Sequence, residues 1–221
     1  MNSDARKGFH DELESLQQDL LRMGRHVEES ISRAVEALST QNLQLAEQVI
    51  DDDDEIDEMQ VYIENNCLRL LALQQPMGKD LRVIGTALKV VTDIERIADH
   101  SVDICRTVTR MNGEPLVKPL IDIPRMAHIA QKMVRDSLKS FVARDTAIAE
   151  SLAKQDDDVD YLFGSIMREL TTLMMADTST IRQSTHLMMA AQSLERIGDH
   201  ATNIGEWVIY MVLGERRDLN V

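Results

Sequence analysis

DIERIADHSVDIC, from Asp93 to Cys105, returns a hundred positions later as SLERIGDHATNIG, from Ser193 to Gly205, and this duplication limits the fold more than any other feature of the chain. Each copy holds a Glu and an Asp four residues apart, Glu95 with Asp99 and Glu195 with Asp199. The surrounding apolar pattern turns at about 3.6 residues, and on a helix that spacing stacks the two carboxylates on one face. Like charges so placed cost ~0.2–0.5 kcal/mol per pair. A chain that carries the arrangement twice therefore calls for a compensating positive group: an Arg, a Lys or a metal ion.

The repeat extends beyond the motifs. A shift of 103 aligns Met23 with Met126, Ile31 with Val134, Glu47 with Glu150 and Asp57 with Asp160, while the motifs are offset by 100, so the first half carries three extra residues around its hairpin turn. Apolar residues recurring every three or four positions predict three helices per half. Leu13 to Leu38 mark the first, ending near Thr40. Leu45 to Leu73 mark the second, with Asn42 as N-cap and Pro76 and Gly78 as stops; Leu81 to Ile104 mark the third, opened by Asp80 and running to about Met111. Met126 to Leu138, Ile148 to Leu173 and a stretch from about Thr180 to Leu213 repeat the series. The segment from Asn112 to Pro124 contains one Gly and three of the four prolines, a helix-breaking composition suited to a linker. The expected fold is all-α: two tandem three-helix bundles related by an internal repeat, with residues 1–112 as the first, 113–124 as linker and 125–221 as the second.

Composition narrows the function classes. Aromatic residues make up only 3% of the chain while Met reaches 13, which favours helices over sheet. A formal charge of −14, from 38 acidic and 24 basic side chains, opposes nucleic-acid binding. Cys67 and Cys105 have no CxxC spacing and read as reduced core residues of a cytosolic protein. Neither a signal-peptide pattern at the start nor an apolar run of the ~18–20 residues that a membrane span needs is expected from the sequence.

A second acidic pair sits on the middle helix of each half: Asp53 with Asp57, and Asp156 with Asp160. Asp57 lies 21 residues before Gly78 and Asp99 lies 21 after it, so at ~1.5 Å per residue both are ~30 Å from the turn, level on antiparallel helices. Asp160 and Asp199, 18 before and 21 after Thr178, are level in the same way. Four carboxylates per bundle are thus expected to converge, with Asp103 as a fifth in the first. An all-oxygen set favours Mg²⁺, Mn²⁺, Ca²⁺ or iron over a structural zinc site; the ions entertained are divalent or ferric, namely Fe, Mn, Mg or Zn. The competing interpretation is a solvated acidic face.

His100 and His200 follow the motif aspartates, but the Glu-x-x-His spacing of ferritin-like di-iron bundles does not occur around them. They read as surface or half-buried histidines, and Arg96 and Arg196 as local ion-pair partners, with phosphate binding chemically open. Nothing matches a nucleotide-binding glycine loop or a GxSxG elbow, and no nucleophile offers itself, so no enzyme is expected. The methionines at 174–175 and 188–189 read as core filler.

Two three-helix units whose motifs read ERIADH and ERIGDH, each an E(D)xxxD pair followed by His, closely resemble the PhoU family of bacterial phosphate-signalling regulators, over nearly the whole chain. The resemblance implies a cytosolic, non-enzymatic regulator associated with the phosphate-specific ABC transporter, including its ATPase subunit, and with a sensor histidine kinase. It further implies restraint of phosphate-starvation gene expression when phosphate is plentiful, homodimers, and metal clusters on E(D)xxxD carboxylates in some members. Carried over by residue, the metal motif falls on Glu95, Asp99 and Asp103 and on Glu195 and Asp199. Asn203 stands opposite Asp103 and Ser193 opposite Asp93, so the second site is expected to be weaker by two carboxylates. The alternative of a different class is a carboxylate protein that handles iron or manganese.

Overall fold

The structure, a computed structural model, describes residues 3–219, with side chains from Gly8 onward. Six long helices account for nearly all of it: α1 (Ser3–Thr40), α2 (Leu43–Gln74), α3 (Lys79–Met111), α4 (Asp122–Ala143), α5 (Thr146–Ala176) and α6 (Ile181–Leu213). A single 3-10 turn, Thr178–Thr180, precedes α6, and no strand occurs among the described residues. The helix starts follow local chemistry. Asn42 Oδ1 accepts from Leu45 N at 3.1 Å at the head of α2, and Asp145 Oδ1 accepts from Ala147 N at 2.8 Å at the head of α5, satisfying amides that a helix start leaves free. Pro124 lies in the first turn of α4 and not before it, a position where a missing N–H removes no intrahelical bond.

Each half packs as the repeat predicts, α1 with α2 and α3, and α4 with α5 and α6. The halves are joined more intimately than a linker between two bundles requires. α3 and α6 run antiparallel against each other through the centre, α1 meets α4, and the buried apolar residues form one continuous core across both halves. α3 accordingly buries far more than one stripe, including Val83, Val90 and Val102 beside the expected Ile84, Val91 and Ile94. Truncating any of these isoleucines to Ala would cost ~2–5 kcal/mol.

Polar ties clamp the ends of the central pair. Arg82 Nε, in the first turn of α3, donates to Met211 O near the end of α6 at 3.2 Å, where the helix dipole favours a cation. At the other end Arg182 pairs with Glu114, and Gln183 pins the connecting segment by accepting from Val117 N and donating to Pro115 O at 2.9 Å. On the outer side, Arg135 places Nε and Nη2 2.9 and 2.6 Å from one Glu28 oxygen, binding α4 to α1.

The ends of the hairpins project beyond this core. Leu73 and Leu81, both placed on apolar stripes by the periodicity, are 69% and 47% exposed because they flank the α2–α3 turn. Met175, expected as core filler, is 83% exposed at the α5–α6 turn, and Met189 also faces outward; Met188 packs against the core.

Candidate functional site

The levelling inferred from the hairpins brings four carboxylates into mutual range in the first half: Asp53 and Asp57 of α2 with Glu95 and Asp99 of α3. Burial pushes the Asp53 carboxyl up to about 6, helped by repulsion from Asp57, Asp99 and Glu95 and opposed by Arg106. Glu95 is raised for the same reasons, burial first and Asp99 next. This cluster has local cations, since Arg96 Nη1 lies 2.9 Å from Asp99 Oδ2 and Arg96 Nε 3.5 Å from Glu95 Oε2.

In the second half Asp156, Asp160, Glu195 and Asp199 converge with less compensation. Asp156 is only 7% exposed, and neither a hydrogen bond nor an ion pair reaches it among the described residues. Burial raises its carboxyl to about 7, with repulsion from Asp160, Asp199, Asp157 and Glu195 adding to the effect. Asp160, Glu195 and Asp199 are all raised as well, burial leading in each. Arg196 Nε stands 3.9 Å from Glu195 Oε2, a looser pair than its counterpart Arg96 makes. The carboxylates line an open concavity of about 500 Å³, walled on one side by Leu219 of the C-terminal segment, whose N–H donates to Glu206 Oε1 at 2.8 Å. Gly198 admits this geometry: a Cβ there would lie 3.1 Å from Asp156 Oδ1, whereas the first copy carries Ala98 at the same place.

Asp103 does not join the first cluster. Its oxygens lie 3.1 Å from Arg106 Nη1 and 3.8 Å from His100 Nδ1, facing the cleft between α3 and α6. Asp93 is also elsewhere, 2.9 Å from His200 Nδ1 and 3.5 Å from Asn203 Nδ2 across the α3–α6 interface, where the His100 and His200 rings approach to 5.6 Å. Positions 93, 103, 193 and 203 therefore belong to the contact between the halves, and counting them as lost ligands of the second cluster has no geometric basis. Asp157 was missed. It is one step along α5 from Asp156, and the acidic run at 156–158 offered three neighbours among which the four-residue spacing selected only one.

The donors suit a hard or borderline cation: oxygen only, at least four per half, with an almost fully buried Asp156 left without a partner. As the side chains stand, no group of three or more His, Cys, Asp or Glu among the described residues closes into a preformed ion site. What the geometry holds ready is a set of carboxylates on two helices in each half that resist simultaneous ionisation.

Among known proteins, a family model for the PhoU domain matches twice, over residues 20–108 and 123–208. The chain is 44% identical over 216 residues to a phosphate-specific transport system accessory protein PhoU homolog of Clostridium acetobutylicum, covering 97% of this chain and 99% of that relative. A homolog so named from Aquifex aeolicus is 41% identical over 92% of both chains. Among solved structures, the crystal structure of PhoU from Pseudomonas aeruginosa superposes with a TM-score of 0.89 at 38% identity, covering 94% of this chain and all of that one. The phosphate transport system regulatory protein PhoU from Streptococcus pneumoniae gives 0.88 at 31% identity, covering 95% and 99%.

Proposed function

Since the chain belongs to the PhoU family, we propose that it serves the phosphate-specific transport system as an accessory protein, acting as a negative regulator of phosphate uptake and of the phosphate-starvation response. In this reading it is a cytoplasmic, non-enzymatic adaptor, active as a homodimer, between the ATPase subunit of the phosphate ABC transporter and a sensor histidine kinase. The observation that carries the proposal is similarity over 97% and 92% of this chain to relatives named as accessory proteins of that system. The formal charge of −14 favours basic or mixed partner surfaces, and association steered this way weakens with salt. No helix among the described residues is long and apolar enough to cross a membrane.

The carboxylate clusters fit the proposal as cation-dependent braces. Asp53, Asp57, Glu95 and Asp99 would hold an ion between α2 and α3, and Asp156, Asp160, Glu195 and Asp199, with Asp157, between α5 and α6. A bound divalent or ferric ion supplies the positive charge that lets all of these carboxylates ionise together. The chain's own part is to keep the two faces level and to present oxygen ligands only. Asp156, buried among like charges, favours the neutral acid in the absence of a cation, so uptake would release a proton.

The test is a phosphate-starvation reporter in cells lacking the gene. The reporter should be derepressed in phosphate-replete medium and silenced again by the wild-type chain, and purified protein should retain the ATPase subunit and the kinase at low salt. A reporter indifferent to the deletion overturns the regulatory reading. If the deletion instead alters only iron or manganese content, the metal-handling alternative, which the uncompensated Asp156 favours, takes its place.

A further inference from the structure

The pseudo-two-fold symmetry that relates α3 to α6 is broken around Asp93 and Trp207. On one side of the axis, Asp93 ties His200 and Asn203, and Trp207 fills the neighbouring volume, with Lys89 Nζ 5.7 Å from its ring centre, Arg216 Cζ 5.0 Å and Tyr210 set edge-on at 6.0 Å. The hundred-residue offset predicts the same construction on the other side from residues 193, 200 to 210 less 100, and 189. There the aspartate is Ser193, the tryptophan is Thr107, the tyrosine is Arg110 and the lysine is Met189. An internal acceptor has been replaced by a hydroxyl and a large aromatic by a small side chain. What remains is a polar cleft of about 370 Å³, within the size range of small-ligand sites.

The cleft is rich in donors and short of acceptors. Arg110 and Gln192 line it and make no hydrogen bond or ion pair among the described residues. Ser193 is 8% exposed and its hydroxyl is likewise unpartnered. Arg196 Nε stands 3.9 Å from Glu195 Oε2, and its charge also acts on Asp199. The one carboxylate on the wall, Asp103, is already held by Arg106 at 3.1 Å. Arg110, Gln192 and Arg196 are exposed at the mouth of the cleft and Ser193 is buried at its wall, and guanidinium groups bind oxyanions through strong, charge-assisted hydrogen bonds. A chain of charge −14 repels polyanions at range, so the compatible occupant is small.

We propose that the cleft between α3 and α6, walled by Arg110, Arg196, Gln192 and Ser193, is a binding site for a small tetrahedral oxyanion. Its place is on the contact between the halves, adjoining the second acidic cluster through the Arg196–Glu195 pair, and an occupant there bridges α3 to α6.

The proposal is tested by calorimetric titration of the full chain with inorganic phosphate, with sulfate and with adenosine 5′-monophosphate in parallel, each with and without a chelator. Saturable binding of at least one anion that survives chelation is expected. Phosphate or sulfate alone identifies a free inorganic oxyanion, and binding of the nucleotide as well identifies a terminal phosphate group; both uphold the site. Arg110→Gln should weaken binding about tenfold or more, the scale of one hydrogen bond to a charged group. Thr107→Trp, which restores the filling found on the other side of the axis, should abolish it with helix content retained; should that variant fail to fold, Arg110→Gln alone decides. Absence of binding at 10 mM (roughly the weak limit of a specific site), unchanged affinity in Arg110→Gln, or binding that vanishes with the chelator overturns the proposal.

Discussion

Replacing Asp156 by Asn isolates the electrostatic cost of the second acidic cluster in chelator-treated protein. Burial and four neighbouring carboxylates raise this group from 3.8 to about 7. At ~1.36 kcal/mol per unit the shift corresponds to ~4 kcal/mol. The carboxylate borders an open concavity, so solvent screening reduces that to ~2 kcal/mol. The sign follows from proton binding. Below 3.8 both folded and unfolded Asp156 are protonated and the group costs nothing; between 3.8 and about 7 the unfolded chain ionises while the folded one holds its proton, so stability falls as pH rises. Above about 7 the penalty is complete. Asp156→Asn removes it and also relieves repulsion on Asp160, Asp199 and Glu195. Urea unfolding at a series of pH values should show the variant's advantage rising from near zero at about pH 4 to ~2 kcal/mol at about pH 8, with unchanged m. An advantage independent of pH, or a variant less stable than wild type at pH 8 or so, would refute the reasoning.

Glu95→Gln combined with Asp99→Asn should abolish cation uptake by the first cluster while leaving helix content intact; unchanged stoichiometry by calorimetry with Mn²⁺ would reduce that cluster to a solvated acidic face. Gly205→Val should cost ~2 kcal/mol or more by urea midpoint, because even a Cβ there would lie 2.6 Å from Leu152 Cδ1 and 3.3 Å from Ala149 O. Asp93→Ser, which imposes the second copy's residue on the first, should lose ~1–3 kcal/mol through the freed His200 and Asn203 groups, and equal stability would show that the interface bonds contribute nothing.

Most of the architecture was legible because each helix carries its own periodicity and its own stops. Asn42, Asp145 and the Pro76–Gly78 turn mark boundaries by local chemistry, and equal distances from a turn suffice to place Asp57 beside Asp99 on antiparallel helices. The contact between the halves was not legible by the same means. Periodicity identifies the apolar stripe of α3, but Arg82, Asp93 and His100 lie on a further side whose partner, α6, is a hundred residues or more away. That is why spacing alone groups Asp103 with the first cluster and treats positions 93, 193 and 203 as ligand positions. Substitutions between the copies held the missing information. Trp207 against Thr107 and Lys89 against Met189 differ in volume and charge too strongly for equivalent environments, yet their meaning depends on knowing that the four positions meet.

The continuous core also governs how two molecules could join. α3 and α6 cover each other, so either half alone would present a long apolar strip to water, and a cut within residues 112–121 should leave two fragments that remain associated. The same complementarity is available between chains. The first half of one molecule can seat the second half of another through identical contacts, in a domain exchange that the connecting segment would have to permit by releasing Gln183 from Pro115 and Val117. A dimer assembled in this way buries hardly any surface that the monomer leaves open, and it would come apart only by separating α3 from α6, on the slow timescale of partial unfolding rather than the fast one of surface dissociation.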